Sequence, residues 1–327
     1  MGTTSSTITG LVSIIIPTYN VGPYITKSIV SALQQNYEPI EIIVVDDHSS
    51  DDTLNHVASL ADPRIRIITL SKTVGPGNAR NVGIRYARGE WIALLDGDDW
   101  MACNRIQYLI TIALETNADI VADNVWLISH DNLLPWSTWM DDAKLKWPKI
   151  KQLVLEDLIK KDMSFIKPVI KTSFIKSNRL KYPDLPSEDM FFLLECLRCE
   201  PNMLVTKTPY YFYRSRLDSI VSNQIRSLRG TLEALINYQK STEPNSLVNQ
   251  VLQNRIKDTQ HAIQVRDLIN KWKRRDFISV NETLFKSPSS AIWTLAYLPQ
   301  AVARRWKKRQ VEVTPHHHAN ALPTGKQ

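Results

Sequence analysis

An apolar run that ends in three carboxylates constrains the fold of this chain more than any other segment. Residues 91–95 read Trp-Ile-Ala-Leu-Leu, and Asp96, Asp98 and Asp99 follow directly, with one glycine among them. Consecutive apolar residues bounded by a turn predict a buried β-strand. In open α/β sheets, ligands bind in the loops at the carboxyl ends of the strands. Acids crowded at such an edge repel one another unless a cation lies among them, and oxygen ligands suit a hard divalent ion.

The alternative to a metal site is a solvated acidic turn in which Asp99 caps the next helix. The surrounding sequence helps to decide between the two interpretations. Runs of β-branched and apolar residues predict further strands, at residues 12–16, 41–45, 64–69 and 119–122. Apolar residues at helical spacing lie between the strands before residue 100, and we expect Ser50 to cap the second of these helices. Strands that alternate with helices predict an α/β fold, with a Rossmann-like, mostly parallel central sheet flanked by helices.

Composition and charge limit the kind of protein this is. Its 327 residues, 43% hydrophobic and 22% charged, suit one large globular domain with an extension. Three cysteines without disulfide or zinc spacing fit a reducing compartment. The first residues have neither a basic start nor a long apolar run, so we expect no secretory signal and a cytoplasmic protein. The net charge is +7, but no zinc-finger or RNA-binding pattern accompanies it, and we expect no nucleic-acid partner.

Residues 223–309 predict a helical C-terminal extension that ends in an apolar and then a basic segment. The apolar segment, residues 291–303, is shorter than the about 20 residues that span a bilayer. Residues 304–309 read Arg-Arg-Trp-Lys-Lys-Arg. Such an end either lies on an anionic membrane, at the cytoplasmic face of the inner membrane, or packs on the protein, and the sequence leaves both open. Residues 310–327 are polar, and we expect a disordered tail.

Five short motifs stand in a fixed order along the chain. They are Ser13-Ile-Ile-Ile-Pro17-Thr-Tyr19-Asn20, Val44-Val-Asp46-Asp47, Gly77-Asn-Ala-Arg80-Asn81, Asp96-Gly-Asp98-Asp99 and Pro186-Ser-Glu188-Asp189. In order, spacing and strand-end context, this combination resembles glycosyltransferase family 2. Softer matches resemble bacterial enzymes that assemble exopolysaccharides of the succinoglycan type. The resemblance implies the GT-A fold, in which a nucleotide-binding α/β domain merges with an acceptor-binding region.

The resemblance also implies a division of the chain. We expect a flexible N-terminus at residues 1–10 and a GT-A glycosyltransferase domain at residues 11–222. Within that domain, residues 11–100 would bind the nucleotide and residues 101–222 the acceptor.

On the donor side, the resemblance implies contacts to the nucleotide. Pro17 and Tyr19 would line the pocket of the nucleoside base, and Asp47 would accept a hydrogen bond from the imide N–H of uracil. Arg80 would reach toward the nucleotide or its phosphates. The alternative for Asp47 is a strand-end cap of the helix near Ser50, a role that Asp46 fits better, and the alternative for Arg80 is an arginine on the helix surface.

The resemblance also implies which residues contact the diphosphate and its divalent ion. Asp96 would hold the ribose or the water shell of the ion, and Asp98 would ligate Mn²⁺ or Mg²⁺ directly. Breaking a sugar–diphosphate bond develops negative charge on the leaving group, which such an ion neutralises. Arg216, in preference to Arg214, would contact the diphosphate.

On the acceptor side, the resemblance makes Asp189 the general base. The attacking hydroxyl must lose a proton, so a carboxylate belongs opposite the leaving group. Glu188 would support the base or bind the acceptor, although acids at this place also simply favour a helix N-terminus. Lys167 and Lys171 are better explained as solvated lysines than as contacts to an anionic acceptor.

The resemblance therefore implies inverting transfer of a sugar from a nucleotide-sugar, a UDP-hexose such as UDP-glucose. The acceptor would be a lipid-linked or oligosaccharide form of an exopolysaccharide or cell-surface glycan. Two alternatives remain, a non-catalytic sugar-nucleotide-binding or scaffold protein and a sugar-phosphate nucleotidyltransferase. The expected carboxylates are all present, which argues against a non-catalytic protein. A nucleotidyltransferase usually has a Gly-rich basic loop near its amino terminus, and Thr18-Tyr-Asn-Val-Gly22 is not such a loop. No motif encodes the sugar, the acceptor, the linkage or the oligomeric state.

Overall fold

Within the described residues, ten strands form one mixed sheet. The structure is a computed structural model that describes residues 8–129, 133–161, 163, 165–215 and 224–273. The strands are β1 (Ile8–Thr18), β2 (Ile40–Asp46), β3 (Ile65–Thr69), β4 (Gly89–Leu94), β5 (Trp100–Met101), β6 (Ile120–Ile128), β7 (Pro135–Thr138), β8 (Ile150–Gln152), β9 (Val169–Lys171) and β10 (Met203–Arg214). The helices are α1 (Gly22–Leu33), α2 (Thr53–Ser59), α3 (Pro76–Tyr86), α4 (Arg105–Thr116), α5 (Trp139–Asp142), α6 (Leu155–Lys160), α7 (Thr172–Ser177), α8 (Glu188–Arg198), α9 (Gln224–Lys240) and α10 (Leu247–Lys273).

The long strands all run in the same direction. β1 pairs in parallel with β2 and β4, β2 pairs in parallel with β3, and β6 pairs in parallel with β10. The short strand β9 lies between β4 and β6 and is antiparallel to both. The strand order is β3-β2-β1-β4-β9-β6-β10-β5, with β7 on β6 and β8 on β10. The carboxyl ends of the parallel strands therefore meet at one edge, which confirms the predicted mostly parallel sheet.

The core lies on both faces of the central strands. Ile14, Ile15 and Ile16 of β1 are fully buried, as is the run from Ile42 to Val45 in β2. Consecutive buried residues, rather than alternating ones, mean that helices cover both faces of the sheet. Each fully buried aliphatic side chain stabilises the fold by about 1.5–3 kcal/mol. These strands therefore form a rigid base for the loops at their carboxyl ends.

The predicted strands are present, with different ends. β1 begins at Ile8, so the last residues of the predicted flexible N-terminus belong to the sheet. The strand predicted at residues 119–122 continues to Ile128. In both cases the extra residues pair with a neighbouring strand, a long-range contact that local sequence does not show.

The prediction that Ser50 caps the second helix is wrong. α2 begins at Thr53, and the backbone N–H of Ser50 donates instead to the side chain of Asn20 at 2.8 Å. Asp51 bonds to the start of α2, since its carboxylate accepts hydrogen bonds from the N–H and the hydroxyl of Thr53. The same carboxylate accepts a bond from the N–H of Gly22 and thereby connects α2 to the start of α1.

The predicted helical extension is present as α9 and α10. The ring of Tyr238 on α9 lies 5.0 Å from the ring of Phe191 on α8, and the hydroxyls of Ser187 and Thr231 lie 3.0 Å apart. The extension thus packs beside the segment that carries Glu188 and Asp189. No helix among the described residues combines the length and the apolar character needed to cross a membrane. The predicted membrane-associating segment at 291–309 and the tail at 310–327 lie outside the described residues.

Candidate active site

The loops after β1 and β2 lie side by side at the carboxyl edge of the sheet. The backbone N–H of Asp47 donates to the carbonyl of Thr18 at 2.8 Å. Tyr19, which follows β1 directly, is 45% exposed and available to a ligand. Pro17 lies in the last part of β1. The structure therefore brings Pro17, Tyr19 and Asp47 to the same edge.

Asp47 has structural partners that the sequence did not indicate. The residue is buried, and its carboxylate accepts hydrogen bonds from the backbone N–H groups of Val74 at 2.7 Å and Gly75 at 2.8 Å. These bonds fix the loop in front of α3, where Gly75 adopts a φ of +88° that favours glycine. Each carboxylate oxygen keeps a second lone pair, so a contact with the N–H of a base is compatible with this arrangement.

Arg80 joins three carboxylates inside the site. Its Nη2 lies 2.7 Å from Asp96, and its Nη1 lies 2.7 Å from Glu188 and 3.1 Å from Asp189. The residue is 3% exposed, so its interpretation as a surface arginine is wrong. The predicted contact with the nucleotide or its phosphates stays a prediction, because the contacts that the structure shows are to carboxylates.

Lys167 is a residue of this cluster that sequence reasoning missed. Its Nζ lies 2.6 Å from Asp189 and 2.9 Å from Asp96. It is 4% exposed, so the expectation of a solvated lysine is wrong. The pairing of β9 with β4 explains its place, because the strand that follows Lys167 runs antiparallel to the strand that delivers Asp96. That pairing joins segments far apart in the chain and leaves no local signal.

Burial and opposite charges compete in setting the pKa values of the cluster. Burial by itself would raise the pKa of Asp96, but the charges of Lys167 and Arg80 outweigh it and hold that pKa well below its usual value. Burial by itself would lower the pKa of Lys167, but Asp189 and Asp96 outweigh it and raise that pKa. Burial dominates for Glu188, and with the charge of Asp189 it raises the pKa of Glu188.

Asp99 faces β10 rather than the next helix. It is 1% exposed, and its carboxylate accepts hydrogen bonds from the hydroxyl of Tyr211 and the backbone N–H of Arg214, both at 2.8 Å. The prediction that Asp99 caps the following helix is therefore wrong, since α4 begins only at Arg105. Burial, followed by the charges of Asp98 and Asp96, raises the pKa of Asp99 well above its usual value.

Arg214 is the arginine that the structure places beside the acidic turn. Its Nε donates to the backbone carbonyl of Asp98 at 2.7 Å, and its guanidinium lies 4.8 Å from the ring of Trp100 and 4.9 Å from that of Tyr24. Arg216, preferred on sequence grounds, lies outside the described residues. The end of β10 therefore meets the turn at Asp98, and the contact of this segment with the diphosphate stays a prediction.

The acidic turn fits an ion that protein and substrate hold together. In the described part of the chain, no three His, Cys, Asp or Glu side chains are arranged to hold an ion by themselves. The resemblance assigns the ion to Asp98, whereas Asp96 pairs with Arg80 and Lys167 and Asp99 bonds to β10. One or two carboxylates with substrate phosphates is the usual donor set for Mg²⁺ in phosphoryl sites. The residues therefore fit Mg²⁺ or Mn²⁺ bound together with a diphosphate.

The motif around Arg80 also depends on a close approach at Gly77. A Cβ at this position would lie 2.9 Å from the carbonyl oxygen of Pro183 and 3.1 Å from the Cγ of Glu188. Glycine is therefore required where α3 approaches the segment before α8. This contact brings Arg80 within reach of Glu188 and Asp189.

Comparisons with known proteins agree with this geometry. The family model described as Glycosyl transferase family 2 matches residues 13–176. Succinoglycan biosynthesis protein ExoO of Rhizobium meliloti is 29% identical over 327 residues, which cover 95% of this chain and 91% of the relative. The UDP-Glc:alpha-D-GlcNAc-diphosphoundecaprenol beta-1,3-glucosyltransferase WfgD of Escherichia coli is 29% identical over 228 residues, which cover 69% of this chain and 85% of the relative.

Solved structures share the fold at low sequence identity. S. aureus TarS 1–349 in complex with UDP-GlcNAc superposes with a TM-score of 0.57 at 18% identity, covering 86% of this chain and 92% of TarS 1–349. The mannosyltransferase PcManGT from Pyrobaculum calidifontis, in complex with GDP-Man and Mn²⁺, superposes with a TM-score of 0.57 at 15% identity. The superposition covers 91% of this chain and 87% of PcManGT. These similarities confirm the predicted GT-A fold. With the family model matched across half of the sequence, this chain belongs to glycosyltransferase family 2.

Proposed function

We propose that this chain transfers a hexose from a UDP-sugar, with inversion at the anomeric carbon, to an acceptor of exopolysaccharide or cell-surface glycan synthesis. One observation carries the proposal. Two carboxylates, Asp96 after β4 and Asp189 at the start of α8, form ion pairs with the same two buried cations. These cations are Arg80 and Lys167. A carboxylate for the donor and a carboxylate for the acceptor are thereby held in one site.

The choice of a UDP-hexose draws on the relatives. WfgD is named for transfer from UDP-Glc, and TarS was solved with UDP-GlcNAc, whereas PcManGT was solved with GDP-Man. Asp47 lies at the carboxyl edge beside the loop of Tyr19, and a carboxylate there would accept a hydrogen bond from the imide N–H of uracil. UDP-glucose is therefore the first donor to test.

The chemistry is a direct displacement. The acceptor oxygen forms a bond to the anomeric carbon as the bond from that carbon to the diphosphate oxygen breaks, and Asp189 takes the proton of the acceptor hydroxyl. Attack opposite the leaving group converts an α-linked donor into a β-linked product. A divalent ion at Asp98, Mn²⁺ or Mg²⁺, would neutralise the negative charge that develops on the diphosphate. Arg214, fixed against the carbonyl of Asp98, would approach the same phosphates.

The lipid-linked acceptor of the proposal draws on the relative WfgD, whose name gives a diphosphoundecaprenol-linked sugar as its acceptor. The basic segment at 304–309 would then hold the enzyme at the cytoplasmic face of an anionic membrane. Co-sedimentation with anionic vesicles tests this: the full chain should sediment and a chain ending at residue 289 should not, whereas equal partitioning would contradict membrane attachment.

The activity is tested by the release of nucleoside diphosphate from a panel of sugar nucleotides. We expect turnover of one UDP-sugar that requires Mn²⁺ or Mg²⁺, stops with EDTA and is lost in Asp98→Ala. Asp52→Ala is the matched control, because Asp52 is an exposed acid outside the site. Turnover that survives both EDTA and Asp98→Ala would contradict the metal-assisted mechanism. Binding of UDP without turnover, with lipid-linked acceptors present, would indicate a non-catalytic binding protein.

A further inference from the structure

Four charged side chains of the site form a closed ring. Asp96 contacts Arg80 through Oδ1 at 2.7 Å and Lys167 through Oδ2 at 2.9 Å. Asp189 contacts Arg80 through Oδ1 at 3.1 Å and Lys167 through Oδ2 at 2.6 Å. Each carboxylate thus uses one oxygen for each cation. This ring fixes the position of Asp189 relative to Asp96.

Within the ring, Lys167 makes the tighter contact with Asp189. The Nη1 of Arg80 is shared between two carboxylates and lies nearer to Glu188, at 2.7 Å, than to Asp189, at 3.1 Å. The ammonium of Lys167 lies 2.6 Å from Asp189. Ser187, at the N-cap of the helix that carries Asp189, forms no side-chain capping bond.

The backbone of Lys167 is itself held in place. Its carbonyl accepts a hydrogen bond from the Nη2 of Arg105, which is fully buried and pairs with Asp123 at 2.7 Å. Pro168 follows, and β9 then pairs with strands on both sides. Lys167 therefore reaches the ring from a rigid anchor.

We propose that Lys167 is a positioning residue for the general base, an inference that rests on the proposed function of this site. Its ammonium holds the Asp189 carboxylate in the orientation that accepts the proton of the acceptor hydroxyl. Without it, Asp96, Glu188 and Asp189 share one guanidinium, and the repulsion between buried carboxylates would move Asp189. The proposed base pocket at Pro17, Tyr19 and Asp47 lies in other loops and would keep its geometry, and Asp96 would keep its 2.7 Å contact with Arg80.

Lys171 provides a control four residues further along the chain, at the end of β9. Its ammonium lies 5.8 Å from the centre of the Trp91 ring, and it takes no part in the ring of Arg80, Lys167, Asp96 and Asp189. Lys171→Met removes the same charge as Lys167→Met. It should therefore leave turnover unchanged.

The test compares wild type, Lys167→Met, Lys167→Arg, Lys171→Met, Asp189→Asn and the double variant Lys167→Met/Asp189→Asn. For each protein, kcat and KM are measured with the UDP-sugar that wild type turns over, and Kd is measured for UDP with Mn²⁺. We expect Lys167→Met to lower kcat by about 100-fold, the usual effect of a misplaced reacting group, with the Kd for UDP unchanged. The double variant should have the kcat of Asp189→Asn alone, and Lys167→Arg should recover part of the loss.

Several results would overturn the inference. An unchanged kcat in Lys167→Met would show that the base needs no such partner, and a weakened Kd for UDP would make Lys167 a phosphate-binding cation instead. Additive losses in the double variant would show that Lys167 acts independently of Asp189. If Lys167→Met does not fold, Lys167→Arg decides, since its displaced charge should lower kcat and leave the Kd for UDP unchanged. A folded wild type that releases no diphosphate from any sugar nucleotide would contradict the proposed function itself, and this inference with it.

Discussion

At the scale of single residues, charge balance at the site depends on two buried cations. Arg80 and Lys167 face Asp96, Glu188 and Asp189, so two positive charges oppose three negative ones. Lone buried carboxylates would be costly, and these pairs let the acids stay in a water-poor site before any substrate binds. Such preorganisation is the main way in which enzymes stabilise charge that develops during a reaction.

Asp51 gives a pH prediction that is independent of the acidic cluster. Burial by itself would raise the pKa of Asp51, but the hydrogen bonds from Thr53 and Gly22 together outweigh it and lower that pKa. Because the folded pKa is depressed, the stabilisation is complete above the unfolded pKa of about 3.9 and is lost as the pH falls through the folded pKa. Urea unfolding of wild type and Asp51→Asn should show a smaller loss of stability on acidification in the variant. Parallel curves for the two proteins would contradict this.

At the scale of elements, the approach of α3 to the segment before α8 assembles the site. Gly77→Ala should place a methyl group against the Pro183 carbonyl and Glu188, with a loss of stability of about 1–3 kcal/mol and a loss of turnover. Gly230→Ala in α9 is the control, because its Cβ would lie 3.4 Å from Pro186, an ordinary contact, and alanine favours a helix by about 0.5–1 kcal/mol. Chemical denaturation measures both variants. A Gly77→Ala protein as stable and active as wild type would show that the segment before α8 moves to accommodate the methyl group without loss of stability.

The sequence predicted elements better than it predicted contacts between them. The Ile-rich run of β1 and the run before Asp96 identify their strands, because burial on both faces leaves a continuous apolar pattern. The burial of Lys167 and the bonds from Tyr211 to Asp99 depend on how β9 and β10 join the sheet. Pairings between distant segments have no local signature, so these residues could not be found from the sequence.

At the scale of the whole molecule, two parts of one sheet supply the two sides of the site. The parallel strands β1, β2 and β4 lead into the loops of Tyr19, Asp47 and Asp96, and the segments at β9, α8 and β10 hold Lys167, Asp189 and Arg214. β9 joins the parts because it pairs with both β4 and β6. The helical extension then packs against α8 through Tyr238. Family membership and the GT-A fold are shown by the comparisons, whereas the roles of the individual residues are predictions.

In the proposed reaction, Asp189 is the base of a sugar transfer from a UDP-sugar. The most direct measurement compares UDP release by wild type and Asp189→Asn, with Glu195→Gln on the same helix as the control. We expect Asp189→Asn to lose about 10²- to 10⁴-fold in kcat, the usual contribution of a general base, while its affinity for UDP stays that of wild type. Asp189→Asn turning over as fast as wild type would contradict the account.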